Sequence, residues 1–393
     1  MGVMNDMRSR LADTTAVVVL FLMATGAVMV FSAGANLGHE FELRRFYDYP
    51  GLRQILFFPI AVFVLFAASV PDYRIWSIRS RWFKCPTVWF LILSVALLVV
   101  VLIPSVGAEI NQARRWLRIP LGPVSVSFQP SELAKWMTVF FLAAVCARIG
   151  PDIRRYWFRF LPLCMLIGLV CGLILLEDFG TAAFIGLIAF GMLIVAGVKW
   201  WHMLTLLPLV IAGLVAGLVR SPHRMKRLWA FLNPEGWGDS VAYQANQSLI
   251  AIGSGGVFGK GLGRGVCKYG HLPEDTTDFI FAIIGEELGL IGTAGVILLF
   301  ILFVFLGMIV VVRCEDRFGR LLAGGIVLTI AAQAALNIGV VTVVLPTKGI
   351  PLPFISAGGT SMLLSSAAVG VLLNIASQVA PGAMSLQADL AQA

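Results

Sequence analysis

Long apolar runs separated by short polar stretches fill most of the chain. Eight nearly continuous runs have about the length of a membrane span, at residues 15–33, 52–70, 87–104, 160–176, 181–198, 203–219, 321–345 and 362–380. Two more, 131–147 and 279–312, are equally apolar but contain charged residues. A helix needs ~20 mostly apolar residues to cross the hydrocarbon core of a bilayer, with a range of ~17–25. The pattern therefore predicts an all-α, polytopic integral membrane protein with ten transmembrane helices.

The composition agrees with residence in a membrane. Hydrophobic residues make up 59% of the chain and charged residues 13%, whereas ~25% of residues are charged in a soluble domain. We expect one integral membrane domain over residues 1–393, with a cytoplasmic leader at 1–13 and a cytoplasmic tail at 381–393. The first span lacks a small-residue cleavage site and is expected to remain in the mature protein.

Basic residues indicate the orientation. With the N-terminus inside, Lys and Arg divide equally between the two sides. Long loops translocate largely regardless of charge, and without the long segment 220–278 the inner side has twice as many. Both termini are therefore expected in the cytoplasm, with 220–278 as a large extracytoplasmic loop between spans 7 and 8. The outer loops remain basic, which fits an anionic ligand such as a phosphate as well as ordinary lipid headgroups.

Three segments on the expected outer side are long or unusual. Residues 105–130 end near VSVSF, whose alternation of apolar and polar positions is typical of a short extended strand. Residues 224–234, RMKRLWAFLNP, have the mixed basic and aromatic character of an interfacial helix. Residues 346–361 are rich in proline and glycine, and non-helical backbone at membrane depth persists only where protein buries it or it lines a wet cavity. Together the segments predict a cavity that opens to the outer leaflet.

Asp278 stands at the start of the longest apolar run. As one helix, 279–312 would be ~51 Å long at ~1.5 Å per residue, against a hydrocarbon core of ~30 Å. It must project above the membrane or break near Gly289–Gly292, and both arrangements place Asp278 at a helix N-terminus near the outer surface. Asp278 then has two interpretations: a helix cap, or a general base whose pKa rises at a dry cavity mouth.

Other charged residues lie in or beside the spans. Glu132 and Lys135 are three positions apart on one helix face and are expected to form a buried ion pair, although Lys135 could equally face a phosphate. Glu286 and Glu287 are expected to be structural, with at least one of them paired or protonated. Asp178 precedes the sixth span and is expected to cap it.

The ARRW run that ends at Trp116 is a candidate ligand-binding stretch. Arg114 and Arg115 can hold phosphate oxygens in a bidentate manner, and Trp116 can stack on a sugar ring. The alternative is an interfacial belt in which the arginines extend to the headgroups. No group of histidines and cysteines has the spacing of a zinc site, so no metal site is expected.

Seven stretches resemble, in order and spacing, the signature sequences of the SEDS family (shape, elongation, division and sporulation). They are GAEINQARRWL, FQPSELAK, LEDFGTA, RLWAFLNP, YQANQSLIAIGSGGVFGKGLGRG, KYGHLPEDTTDFIFAIIGEELGLIG and LPTKGIPLPFISAGGTS. The resemblance covers residues 14–380. KYG before LPE, and PTKG, are more similar to the FtsW-type division proteins than to the RodA-type elongation proteins.

The resemblance implies a peptidoglycan glycosyltransferase of ten spans in the bacterial plasma membrane, active in cell division or elongation. Its substrate would be lipid II, the disaccharide pentapeptide carried on undecaprenyl pyrophosphate, polymerised at the outer face with inversion. Asp278 would be the catalytic carboxylate. The expected substrate-binding residues are Arg114, Arg115, Trp116, Lys135, Lys348 and Ser356.

The resemblance also implies partners. The expected ones are a class B penicillin-binding protein, which is a transpeptidase, and further proteins of the divisome or elongasome, but no nucleic acid. No cofactor is implied, although Mg²⁺ or Mn²⁺ assisting the departure of pyrophosphate stays open. Two positions depart from the family pattern: Thr276 stands where a histidine is frequent, and Ala357 where a tyrosine is usual.

Two other classes of function remain compatible with the residues. A flippase or transporter of lipid-linked cell-wall precursors explains intramembrane charges and a central cavity equally well. It does not need an acid at one membrane face, and the inner loops are short. A non-catalytic scaffold that recruits a transpeptidase is the third possibility.

Overall fold

The computed structural model describes residues 2–34, 49–78, 82–110, 113–121, 124–232, 240–269, 272, 274–346 and 349–379. Within these ranges the chain forms twelve α-helices and one three-stranded sheet. The helices are α1 Gly2–Gly34, α2 Pro50–Ser69, α3 Pro86–Val101, α4 Pro130–Ile149, α5 Leu161–Leu175, α6 Phe179–Val195, α7 Trp200–Val219, α8 Pro222–Leu232, α9 Ser240–Gly255, α10 Ile280–Arg313, α11 Arg317–Val341 and α12 Gly359–Gln378. The strands are β1 Gly107–Ile110, β2 Ala113–Leu121 and β3 Val124–Phe128.

Every apolar run named from the sequence lies on a helix. Among the described residues, eight helices are long and apolar enough to cross a membrane. The shorter apolar helices α3 and α6 correspond to the remaining two runs. The protein is therefore a multi-pass membrane protein. Helix α1 begins at Gly2, so the described part of the polar leader is helical.

Helix α4 lies at the centre of the bundle. It is buried from Pro130 to Cys146 and packs against α3, α6, α11 and α12. Helices α2 and α12 pack closely along their length because Gly370 has no side chain: a Cβ there would lie 2.3 Å from the carbonyl oxygen of Leu65. Because α4 is buried along most of its length, its polar residues need hydrogen-bond or ion-pair partners within the protein.

The long helix α10 is broken, as one of the two predicted arrangements requires. Gly289 has φ 67° and ψ −160°, a conformation that favours glycine. The break leaves the carbonyl oxygens of Glu286 and Glu287 without helical donors. They accept hydrogen bonds of 3.0 Å each from the backbone nitrogens of Lys260 and Gly261. A glycine-rich loop, residues 256–267, thus packs directly on the break.

The small sheet is the departure from an all-α fold within the described residues. Its strands run antiparallel in the order β1-β2-β3, and Leu117 of β2 pairs with both Gly107 and Phe128. The predicted extended segment VSVSF is β3 itself. The register shifts between Ala108 and Glu109 of β1, which pair with Trp116 and Arg114 of β2, so Arg115 is the extra residue of a bulge.

The segment 220–278 is more structured than a loop. Its basic stretch forms the predicted helix, α8, and a second helix, α9, packs against α10 and α11. The sequence interpretation missed α9. Its buried positions Ser248, Ala251 and Gly255 recur at helical spacing, which was the available signal.

Candidate active site

A cavity of about 1810 Å³ lies where the three unusual segments meet. Its walls include Trp116 and Ser127 from the sheet, Arg227 from α8, Asp278 before α10, and Gly349 from the segment before α12. The prediction that these segments together form one cavity is confirmed. The lower wall reaches polar residues of α4 and α11 within the bundle.

Asp278 lines this cavity without capping a helix. The N-cap of α10 is Phe279, and no side chain caps that helix. Asp278 is half-buried, and neither of its carboxylate oxygens accepts a hydrogen bond from a described residue. Burial, with a smaller contribution from the Glu274 carboxylate, raises the pKa of Asp278 to about 7, against the attraction of Arg227 and Arg115. The carboxylate is therefore available to accept a proton near neutral pH.

The backbone around Asp278 is held by buried side chains. The Asn337 Nδ2 donates to the carbonyl oxygens of Asp278 at 2.8 Å and of Ile350 at 2.7 Å. The Ser356 hydroxyl donates to the carbonyl oxygen of Thr277 at 2.6 Å and accepts from the backbone nitrogen of Leu352 at 2.7 Å. These bonds join the segment before α10 to the segment before α12.

Ser356 is therefore not in the position expected of a substrate-binding residue. Its side chain is buried, and its hydroxyl both donates to and accepts from backbone groups. No hydrogen-bonding function of this hydroxyl is directed into the cavity. Lys348, another expected substrate-binding residue, lies outside the described residues. Ala357, where the family usually has tyrosine, does line the cavity.

The ARRW run lines the cavity only in part. Arg115 and Trp116 line the cavity, and Arg114 does not. Arg114 pairs instead with Glu109 of β1 at 3.3 Å on a partly exposed surface. Arg115 donates to the carbonyl oxygen of Glu177 at 2.8 and 3.1 Å and lies 3.5 Å from Asp178. The expectation that Arg114 contacts the substrate disagrees with this geometry.

Asp178 acts as a cap and as an ion-pair partner. Its Oδ1 accepts from the backbone nitrogen of Thr181 at 3.0 Å, and its Oδ2 accepts from the Thr181 hydroxyl at 2.9 Å. The same carboxylate faces Arg115 across the cavity wall. Asp178 thereby fixes the start of α6 and holds Arg115 in place.

The intramembrane pair Glu132 and Lys135 is formed and has a third member. The Lys135 Nζ donates to Glu132 Oε2 at 2.8 Å and to Gln333 Oε1 at 2.9 Å. The Gln333 Nε2 donates in turn to the carbonyl oxygen of Pro351 at 2.9 Å. Lys135 lines the cavity but already has two partners, so its charge is compensated within the protein.

Glu286 and Glu287 face away from the cavity into the glycine-rich loop. Glu286 accepts from the Lys260 Nζ at 2.7 Å and from two loop amides. Glu287 accepts from the Lys268 Nζ at 2.9 Å and from the Ser32 hydroxyl at 2.6 Å. Both carboxylates are fully buried and fully partnered, which ties α1, α10 and the loop together.

Several cavity residues escaped the sequence interpretation. The missed residues are Arg53, Glu177, Arg220, Arg224, Arg227, Glu274 and Gln333, which all line the cavity. The basic face of α8 was recognised, but hydropathy cannot show that this face meets the cavity. Gln333, with Asn337 one turn later, could have been found as a polar pair at i, i+4 in an apolar span.

Within the described part of the chain, no three His, Cys, Asp or Glu side chains are grouped to hold a metal ion. The cavity instead combines carboxylates with the guanidiniums of Arg115, Arg224 and Arg227. A guanidinium is planar and can donate two parallel hydrogen bonds, which matches the geometry of phosphate oxygens.

The fold and the site together define a multi-pass membrane protein whose arginine-rich cavity contains a carboxylate that accepts no hydrogen bond from the described residues. Residues 13–380 match the cell cycle protein family that groups FtsW, RodA and SpoVE. The chain belongs to this family.

Its relatives include division and sporulation proteins. The probable peptidoglycan glycosyltransferase FtsW of Coxiella burnetii (strain RSA 493 / Nine Mile phase I) is 38% identical, over 91% of this chain and 94% of its own. Stage V sporulation protein E of Bacillus subtilis (strain 168) is 37% identical, over 91% of this chain and 95% of its own.

Two solved structures share the fold. Rod shape determining protein RodA of Thermus thermophilus superposes with a TM-score of 0.65 at 26% identity, over 94% of this chain and 97% of that one. A chain from a peptidoglycan synthase complex, described for its coordination of polymerization and crosslinking, superposes with a TM-score of 0.69 at 26% identity, over 91% and 96%.

Proposed function

We propose that the cavity is where this peptidoglycan glycosyltransferase polymerises lipid II at the outer face of the bacterial plasma membrane. The observation that carries the proposal is the Asp278 carboxylate, which lines the cavity without a described hydrogen-bond donor and beside arginines. In the proposed topology all ten apolar helices span, both termini are cytoplasmic, and segment 220–278 is extracytoplasmic.

The proposed reaction transfers a glycosyl group with inversion. The 4-hydroxyl oxygen of one lipid-linked sugar forms a bond to the anomeric carbon of another. The bond from that carbon to the diphosphate oxygen breaks, and its electron pair leaves with the diphosphate. Asp278 takes the hydroxyl proton as general base, and the guanidiniums stabilise the charge that develops on the leaving group.

The shape of the cavity supports a lipid-linked substrate. One wall is apolar and is formed by α5, α6 and α7, including Leu175, Phe184 and Gly213. The charged groups around Asp278 line the same cavity. Such a division suits an amphiphile whose tail lies between helices and whose headgroup meets the polar segments.

The proposed partner is a class B penicillin-binding protein that crosslinks the new glycan. Similarity to FtsW-type and sporulation relatives favours assembly with division proteins over elongation proteins. We propose no resident cofactor, and any Mg²⁺ or Mn²⁺ would enter with the substrate diphosphate.

Purified full-length protein with labelled lipid II, with and without the transpeptidase, tests this proposal. We expect glycan polymer from the wild type and none from Asp278→Asn. Asp275→Asn is the matched control, since Asp275 is three residues away and does not line the cavity.

Polymer from a folded Asp278→Asn protein would refute the role of the base. Movement of lipid II across vesicles without polymer would instead favour a flippase. Recruitment of the transpeptidase without either activity would favour a scaffold.

A further inference from the structure

Helix α8 presents cations to the cavity along one face. Arg224 and Arg227 are three residues apart and both line it, whereas Lys226 between them is exposed and does not. Positions three apart lie on the same side of a helix. The helix thus separates two arginines that face the cavity from a lysine that faces away.

The neighbouring arginines already have hydrogen-bond or ion-pair partners within the protein. The Arg224 Nη1 donates to the carbonyl oxygen of Gly217 at 2.8 Å, and its guanidinium lies 5.6 Å from the centre of the Phe179 ring. Arg115 is held by the carbonyl oxygen of Glu177 and by Asp178. Both therefore have protein partners that fix their positions.

Arg227 differs in its Nε donor. Its Nε is buried and has no hydrogen-bond partner among the described residues. Buried donors are nearly always paired, and a buried donor without a protein partner indicates a missing ligand or water. Burial and the nearby Arg115 charge lower the pKa of Arg227, so the local field favours an added anion.

We propose that Arg227 binds the diphosphate of a polyprenyl-diphosphate-linked sugar beside Asp278. This inference rests on the proposed function and assigns its leaving-group site to α8. A planar guanidinium with free donors can hold two phosphate oxygens at once. Lys135, in contrast, is held by Glu132 and Gln333.

The position of Arg227 also links the diphosphate to the base. Arg227 and Asp278 interact electrostatically across the same cavity. Inversion requires the hydroxyl to attack the anomeric carbon from the face opposite the departing diphosphate. With the diphosphate at Arg227, the donor sugar therefore lies between Arg227 and the acceptor hydroxyl whose proton Asp278 takes.

Equilibrium binding of radiolabelled polyprenyl diphosphate to the full chain in nanodiscs tests the assignment. We expect Arg227→Gln to weaken binding about tenfold to a hundredfold, the effect of losing a charge-assisted hydrogen bond. Arg227→Lys, which keeps the charge and loses the fork, is expected to weaken binding by less than Arg227→Gln but by more than twofold. Lys226→Gln is the matched control and should bind as the wild type does. Thermal unfolding checks that each variant is folded.

Two ligand arms separate the sources of the diphosphate. In one outcome, inorganic pyrophosphate displaces the radiolabelled polyprenyl diphosphate from the wild type but not from Arg227→Gln. That result supports recognition of the diphosphate group itself. Arg227-dependent binding without such competition supports recognition of the lipid-linked form.

Binding by Arg227→Gln within twofold of the wild type overturns the inference, as does an equal loss in Lys226→Gln. If Arg227→Gln does not fold, binding by Arg227→Lys within twofold of the wild type overturns it. The proposed function would survive either result, because it depends on polymer formation and on Asp278→Asn.

Discussion

Asn337→Leu is predicted to loosen the segment that carries Asp278. The Asn337 amide is the donor for two carbonyl oxygens, those of Asp278 and Ile350, and its side chain is 1% exposed. Leucine has a similar shape but no donor, so both carbonyls lose their partner in a buried place. Each such loss costs about 1–3 kcal/mol.

The free energy of unfolding is expected to fall by about 2–3 kcal/mol, the low end of the sum for two lost hydrogen bonds. Water near the cavity can partly replace the lost Asn337 donor. The Asn337 Oδ1 is itself buried without a partner among the described residues, and its removal offsets part of the cost. The effect on catalysis is expected to be larger than the effect on stability. A displacement of ~1 Å of a catalytic group can cost ~100-fold in rate.

The assay is steady-state lipid II polymerisation with thermal unfolding of the same samples. We expect kcat to fall about 10- to 100-fold with KM little changed, because the binding groups of the cavity remain. Asn374→Leu is the control: Asn374 also holds backbone groups, the nitrogen of Tyr73 at 2.9 Å and the carbonyl oxygen of Ser69 at 2.8 Å, away from the cavity. A similar loss of stability with unchanged kcat in both variants would refute the positioning role of Asn337.

Three further changes test other parts of the structure. Glu132→Leu leaves the Lys135 charge unpaired inside the bundle and is expected to lower the free energy of unfolding by about 3–5 kcal/mol, measured by thermal or denaturant unfolding. Adding Lys135→Met should restore most of this stability. No restoration would contradict a buried pair. Gly289 has φ 67°, and Gly289→Ala would place a Cβ 2.4 Å from a backbone nitrogen of the glycine-rich loop, so the melting temperature should fall. Gly295→Ala, with open space around it, should leave the melting temperature unchanged. Equal melting temperatures of the two variants would contradict the strained break. Ser356→Ala should lower kcat without weakening polyprenyl diphosphate binding, since Ser356 acts on backbone groups; a selective loss of binding would restore it as a substrate contact.

The bundle was largely predictable because hydropathy is the dominant constraint in a bilayer. Backbone polar groups in hydrocarbon need internal hydrogen bonds, so long apolar runs become helices. The length of 34 residues left two arrangements open, projection above the membrane or a break near Gly289–Gly292, and the structure has the break at Gly289. Helix α9 was missed because its few buried positions are small residues, which gives a weak apolar period.

The site was predictable only where a residue type was unusual for its surroundings. Asp278 was found because an acid precedes a long apolar run. Side-chain direction is set by tertiary structure, so Arg114 and Ser356 could not be separated from true cavity residues by sequence. Arg227 was hidden for the same reason, since a basic face on an amphipathic helix can meet headgroups or a cavity equally well.

The pH dependence of single-turnover glycan transfer tests the central claim most directly. Asp278 acts as a base only when deprotonated, and burial raises its pKa to about 7. The rate is therefore expected to be low below this value, to rise tenfold per pH unit on approaching it, and to level off above it. A rate that stays constant from pH 5 to pH 9 would contradict the account.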